Sequence, residues 1–444
     1  MFVRRLILRS TRSKLEENEF SIDKMRILQK SLLALCLFAS AMATPTPTGS
    51  IEALQAVSQG AQLFSTNFIK TVAKERQDNL ISSPLSAGIA LSMAANGAAG
   101  TTETQFRDVL HLPSKTQTLT GFQNLIDILN NVENVTLKLA NKLFIGKDFQ
   151  VKSQYKQDLQ TYYHSDIDSV DFSQSAKAAD TINTWSKENT NNRIDSIVQA
   201  DDLDSSLALV LANAVYFKGN WAHQFDPKAT TERPFHINAT DVKQVPTMYR
   251  KGNYKYVELP EHEAKCIELP YANKEINMVI ILPDKIDGLA ALINNLEAVS
   301  LDCNVRLAQT YEREVRVYLP KFKTESKLDL GDTLSTKMGL SEPFSNTANF
   351  NGISDIPLKI DKVVQKAFIE VNEEGSEAAA VTGLPRDQSD DLFPGVQIEL
   401  RCLVITTTVT IDRPFLYSII RVHRETGNSD FVPLFIGTVT VPTY

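Results

Sequence analysis

From residue 51 apolar side chains recur at three- and four-residue steps: Ile51, Leu54, Val57, Ala61, Phe64, Phe68 and Val72 share one face of a predicted helix, which must pack on something. In NLISSPLSAGIALSMAANGAAG (79–100) a short strand-like run meets Pro84 and becomes a second helix. Its Gly88, Ala90, Ala94 and Ala95 permit close backbone approach, and any serine buried there must find a hydrogen bond. Farther along the period shortens. LALVLANAVYFKGNW (207–221) is nearly all apolar up to Phe217, as expected for a central strand buried on both faces. INMVIILP (276–283), EVRVYLPKF (314–322), PFLYSIIRV (414–422) and PLFIGTVTV (433–441) predict further strands. The pattern is that of an α+β fold with helices concentrated early and antiparallel strands late.

Composition narrows the function classes. A chain of 444 residues, 43% hydrophobic and 8% aromatic, can bury a large core, and no linker, repeat or low-complexity tract divides it after residue 50, which favours one large mixed domain. With a net charge of −7, a pI of about 5.6 and scattered basic residues, no stripe exists that could neutralise phosphates, so nucleic acid is not an expected partner. There is no GxSxG elbow, HExxH, CxxC pair or GxxxxGK[ST] loop. The six His are far apart, and His262-Glu263 and His423-Arg424-Glu425 read as solvated loops rather than a site. Nothing in the sequence asks for an enzyme, a cofactor or a metal.

The N-terminus carries targeting information. From Met25 a positive start (Arg26, Lys30), an apolar centre (31–40) and Ala41-Met42-Ala43 have the form of a secretory signal, with a centre too short to span a bilayer comfortably. Residues 1–24 hold Arg4, Arg5, Arg9 and Arg12 with no acid before Glu16: either translation starts at Met25, or this lead is a transit peptide or an extension of the signal. The organisation expected is an extension over 1–24, a signal peptide over 25–43, a lead over 44–54 and a single domain over 55–444. Cys36 leaves with the signal, and Cys266, Cys303 and Cys402 are too few for a disulfide scaffold, their pairing left open. Asn134 and Asn238 head glycosylation sequons that are used if the chain is secreted and both lie at the surface.

One stretch fits none of these elements. KAFIEV is a good strand, in which Ala367, Ile369 and Val371 alternate with Phe368 and Glu370. After it come the acids Glu373 and Glu374, the turn residue Gly375, and then Ser376, Glu377, Ala378, Ala379 and Ala380, small residues with no evident core of their own. Five separated motifs in the right order resemble the serpin family. NLISSPLS resembles the shutter, with Asn79, Ser83 and Ser86 at its polar positions. LANAVYFKGNW resembles the segment leading to the breach, with Asn213 in the shutter and Trp221 at the top. VQKAFIEVNEEGSEAAA resembles the hinge, of insect type. VTIDRPFLYSII fits the family signature around Pro414-Phe415, and PLFIGTVTVP resembles the closing strand.

The resemblance spans residues 55–441 and implies helices packed on a large central mixed sheet, two smaller sheets and an exposed reactive loop at about 374–408. It also implies a secreted, monomeric inhibitor whose partner is a serine protease, with no nucleic acid and no membrane. The protease takes the loop for substrate. After cleavage the loop inserts into the main sheet and must drag the acyl-enzyme serine away from its oxyanion hole before water deacylates it. A strand sliding between neighbours already about 4.8 Å from their partners has to lead with small residues. Glu373 and Lys321 match positions that pair across the family's hinge, and Gln365 stands where the family often has His in the shutter. Counting forward from Gly375 places the reactive bond at Ser389-Asp390, while counting back from Pro414 places it near Leu403-Val404; the counts differ by 14 residues. Arg386 and Arg401 suit a trypsin-like pocket and stay as alternatives, and Pro385 is awkward in an inserted strand. A serpin-fold carrier, storage protein or protease substrate that does not trap, and an unrelated enzyme, are the other two function classes.

Overall fold

The computed structural model describes residues 48–376, 407–423 and 430–444, and the fold below is that of the unit Glu52–Tyr444. The chain opens with helix α1 (Thr48–Ala73), strand β1 (Leu80–Ser82), α2 (Pro84–Asn96), α3 (Gly100–Leu110), α4 (Lys115–Asn130), β2 (Val135–Gly146), α5 (Ser153–Tyr163), β3 (Ile167–Val170) and α6 (Ser175–Asn189). Strands then dominate: β4 (Leu209–Asn220), β5 (Thr231–His236), β6 (Val242–Leu259), β7 (Ala264–Pro270) and β8 (Ile276–Pro283). After α7 (Leu289–Asn294) and α8 (Leu296–Gln309) come β9 (Arg313–Pro320), β10 (Phe322–Asp329), β11 (Ile360–Val371), β12 (Gly375–Ser376), β13 (Thr407–Thr410), β14 (Phe415–His423) and β15 (Asp430–Val439).

Among the described residues a six-stranded sheet runs in the order β10, β11, β12, β4, β2, β3, and a nine-stranded one in the order β1, β15, β14, β8, β7, β6, β9, β13 with β5 beside β6. The two smaller sheets implied by the resemblance are therefore joined through the long β6. Its Lys255–Leu259 end pairs with β7 and its other end with β5 and β9. The first sheet is mixed: β4 pairs antiparallel with β2 but parallel with β11.

β4 shows why its sequence is apolar without alternation. Leu209, Leu211, Val215 and Phe217 project into the main core, while Val210, Ala212 and Ala214 join Phe144, Ile182 and Val364 in a second core under α6 on the opposite face. The apolar face of α1 is buried at Val57, Phe64, Phe68 and Val72. α2 starts as its sequence suggests, with Ser83 as a side-chain cap accepting from the Ser86 amide and Pro84 in the first turn. Its buried Ser83, Ser86 and Ser92 are all hydrogen-bonded.

The run 314–322, expected as one strand, is divided. β9 ends at Pro320 in the nine-stranded sheet, and Phe322 begins β10 in the other. The late strands are not uniformly antiparallel either, since β13 pairs parallel with β9.

Candidate functional site

The six-stranded sheet carries a seam. β11 and β4 pair in parallel from Ile360 with Leu209 to Phe368 with Tyr216, so they are closed against each other along most of their length. Above that point they part. The chain leaves β11 at Val371, turns through residues 372–374 and returns as β12 between the two strands, antiparallel to both: Ser376 faces Val371 on one side and Gly219 on the other.

Packing explains why this turn needs glycine. Gly375 has φ 157°, and a Cβ there would collide with the Gly219 carbonyl and the Asn220 backbone. The amides of Trp221 and Phe225 donate to the carbonyls of Glu374 and Glu373 at 2.9 Å each, and the Trp221 indole Nε1 donates to Asn372 O at 2.9 Å. Trp221 in turn stacks on Tyr271, with centroids 4.6 Å apart and planes at 12°. Tyr271 reaches the hinge itself, its Oη lying 2.6 Å from the fully buried Ser376 Oγ. Burial pushes the Tyr271 phenol well above its ordinary pKa, so this contact is a bond between neutral hydroxyls.

The turn is also tied by charge. Lys321, the residue between β9 and β10, places Nζ 3.0 Å from Glu373 Oε2, with only 15% and 12% of the two side chains exposed, and Thr230 Oγ1 donates to Glu373 Oε1 at 2.8 Å. Burial works to raise the Glu373 pKa, but Thr230, its own amide and Lys321 outweigh it and hold the carboxyl below its ordinary 4.5. Burial likewise works against the Lys321 charge and is outweighed by Glu373 and Tyr444, so the ammonium is held above 10.5. Both directions favour the ion pair.

Halfway down the seam a buried polar network spans β11, β4 and the start of α2. Gln365 Nε2 donates to Ser83 O at 2.9 Å and to Asn213 Oδ1 at 2.5 Å, and its Oε1 accepts from the Ser83 amide at 3.0 Å and from the Ser82 hydroxyl. Asn213 Nδ2 donates to Ser86 Oγ at 2.6 Å and to Asn141 Oδ1 on β2. At the lower end Asp361 Oδ2 accepts from the amides of Ala208 and Leu209 at 2.6 and 3.2 Å. The seam is thus fastened at its foot, middle and top.

Of the site residues proposed from sequence, the structure gathers Ser83, Ser86, Asn213 and Gln365 in the middle of the seam and Trp221, Lys321, Glu373, Glu374, Gly375 and Ser376 at its top. Asn79 stands apart, its side chain bonding Thr440 and Val441 beyond β15. Glu377, Ala378, Ala379, Ala380, Pro385, Arg386, Ser389, Asp390, Arg401, Cys402 and Leu403 lie outside the described residues, as do residues 1–47 with the leader and Cys36. Ser82, Asn141, Thr230, Tyr271 and Asp361 were not anticipated. Asn141 and Asp361 carry a faint signal, a polar residue breaking into an apolar strand, but their partners are remote in sequence.

Among the described residues no cluster of His, Cys, Asp and Glu could hold a metal, and no helix is long and apolar enough to cross a membrane. The family described as serpin (serine protease inhibitor) matches residues 59–442. The chain belongs to the serpin family. Alaserpin of Manduca sexta is 31% identical over 414 residues, which is 92% of this chain and 100% of that protein. Serpin48 of Tenebrio molitor, described as a highly specific serpin, superposes with a TM-score of 0.77 at 31% identity over 88% of this chain and 99% of its own. Human thyroxine-binding globulin complexed with thyroxine superposes equally well, TM-score 0.77, at 28% identity over 88% and 100%. Members of the family are mostly protease inhibitors, and the described residues of this chain form an α+β fold with two sheets.

Proposed function

We propose that this serpin is an extracellular serine protease inhibitor that acts as a suicide substrate, trapping the acyl-enzyme by inserting its cleaved loop between β4 and β11. One observation carries the reading: β12 already lies between these strands at the top of a seam that is closed below it. An added strand antiparallel to both neighbours replaces one set of ladder bonds by two, so insertion gains hydrogen bonds as it advances.

The register sets how far it can go. Continued from Ser376 opposite Gly219, it brings residue 386 opposite Leu209, the far end of β4. Alternation then puts Ala378, Ala380, Thr382 and Leu384 on the core side with Ser376, small or apolar residues suited to that face. The stretch used up in this way favours cleavage at Ser389-Asp390 or Arg386 over Arg401 or Leu403, which would leave a slack tether past the end of the sheet. The protease, the monomeric state, secretion, and sugar on Asn134 and Asn238 belong to the same reading. Both asparagines are exposed, and Cys266 and Cys303 form a buried disulfide, a bond that persists in oxidising compartments.

The test is to mix the secreted protein with trypsin-, chymotrypsin- and elastase-like proteases and examine the products on denaturing gels and by mass spectrometry. The expected product is a covalent complex with a released peptide beginning at Asp390 or Asp387. Cleavage without a complex, with protease activity retained, rejects the reading.

A carrier reading has one observation of its own. A cavity of about 400 Å³ opens between α1, α8 and strands β8, β14 and β15, lined by Leu63, Leu296, Leu301, Leu416 and Phe431 with Lys70 among them. Thyroxine-binding globulin, a structural relative, was solved in complex with thyroxine. Thermal shift with thyroxine tests it: stabilisation in proportion to ligand supports a carrier, and no shift at saturating concentration removes it.

A further inference from the structure

We infer that Tyr444 is a positioning residue of the hinge, holding the Lys321 ammonium onto Glu373 and so keeping the β11–β12 turn closed; the inference deepens the inhibitor reading and rests on it. Residues 441–444, which follow β15, are laid along the start of β10. Asn79 Nδ2 donates to Val441 O at 2.7 Å, and Lys243 Nζ to Pro442 O at 3.2 Å. The Lys323 amide donates to Thr443 O at 2.7 Å, and Thr443 Oγ1 returns a bond to Lys323 O at 3.1 Å. These contacts deliver the Tyr444 ring to Lys321, with Nζ 4.0 Å from its centroid.

The consequence lies in what Lys321 can otherwise do. Its backbone is fixed by the bond from its amide to Pro246 O at 2.8 Å, but four methylenes separate that anchor from the ammonium. Glu373 is held independently by Thr230. Lys321 touches both the ring and the carboxylate, so swinging out to solvent gives up both. Tyr444 is itself 60% exposed, so its ring contributes little to the core, and it touches the hinge through Lys321.

The experiment follows hydrogen exchange at the amides of Trp221 and Phe225, the donors that hold Glu374 and Glu373, in the full-length protein without protease. In Y444A or the size-matched Y444L exchange at both amides is expected to quicken about five-fold, while Y444F, which keeps the ring, stays at the wild-type rate. Because Tyr444 acts through the ion pair, Y444L should add nothing in an E373Q background. Equal exchange in Y444L and wild type, or an equal increase in the presence and absence of E373Q, overturns the inference. Covalent complex formation reads the trapping reading separately. The exchange pattern together with absence of any complex keeps the clamp and removes the inhibitor.

Discussion

Gln365 is the residue on which most of the seam depends. Its amide uses both ends on partners from three elements, all buried, so Gln365→Ala strands Ser82, the Ser83 amide and Asn213 without replacement. Leaving such groups unsatisfied costs about 1–3 kcal/mol each before relaxation, and a net loss of about 2–4 kcal/mol is expected in equilibrium unfolding. The network of Ser, Asn and Gln side chains has no group that titrates near neutral pH. The Glu373–Lys321 pair at the top does titrate, at the extremes. A carboxylate held below its ordinary 4.5 contributes stability that is present above that value and lost as pH falls through its folded pKa; a lysine held above 10.5 contributes stability present below that value and lost as pH rises through its own. The rate of spontaneous conversion to polymer or loop-inserted forms is therefore expected to be flat in this contribution between about pH 5 and 10 and to climb below about pH 4.5. A rise confined to pH 6–7 would point to a group outside the seam. Ser83, Ser86, Asn213 and Gln365 were legible because they sit in three motifs that resemble the family's, Ser83 and Ser86 sharing one. Tyr271, Thr230 and Tyr444 were not, since each is an ordinary residue at a strand's edge or in the tail until a distant segment is placed against it.

At the scale of elements, strands with a clear apolar pattern were legible in place and extent, and β4 even in its double burial. The break at Lys321 was not. Apolar residues continue across Pro320 into Phe322, and nothing local says that the chain changes sheets there. Nor does any pattern reveal that β4 and β11, about 150 residues apart, run parallel; that follows from the long crossover between them. The link between β7 and α8 was also open in the sequence. Cys266 and Cys303, 37 residues apart and both fully buried, join the two elements. Alkylation of the denatured, unreduced protein followed by peptide mass mapping is expected to find neither thiol free. The C266S/C303S variant should lose about 2–4 kcal/mol of stability through the looser unfolded chain. Full labelling of both cysteines without prior reduction would contradict the bond.

For the whole molecule, the arrangement is a closed sheet holding a place for one more strand. Asp361 and Gln365 tie β11 to the β4 side, and Glu373 holds the turn above them; on the inhibitor reading an advancing strand must displace these contacts, and the native form would be held by that barrier rather than by the lowest free energy. The core-facing positions of the advancing strand decide whether it can pass. Ala380→Arg would drive a charge toward the core cluster below Tyr271, and the account predicts that this variant is cleaved without forming a covalent complex, whereas wild type forms one. Equal complex formation in the two proteins would mean that this residue does not enter the sheet.

The most direct measurement is thermal unfolding of the protein before and after a single cut in the stretch 377–406, made by a catalytic amount of a protease it does not trap. If the severed strand fills the seam between β4 and β11, the cut protein unfolds far above the intact one, by tens of degrees, because a strand bonded on both sides has been added to the sheet. An unfolding temperature unchanged or lowered by the cut would show that the seam stays shut, and would contradict trapping by insertion.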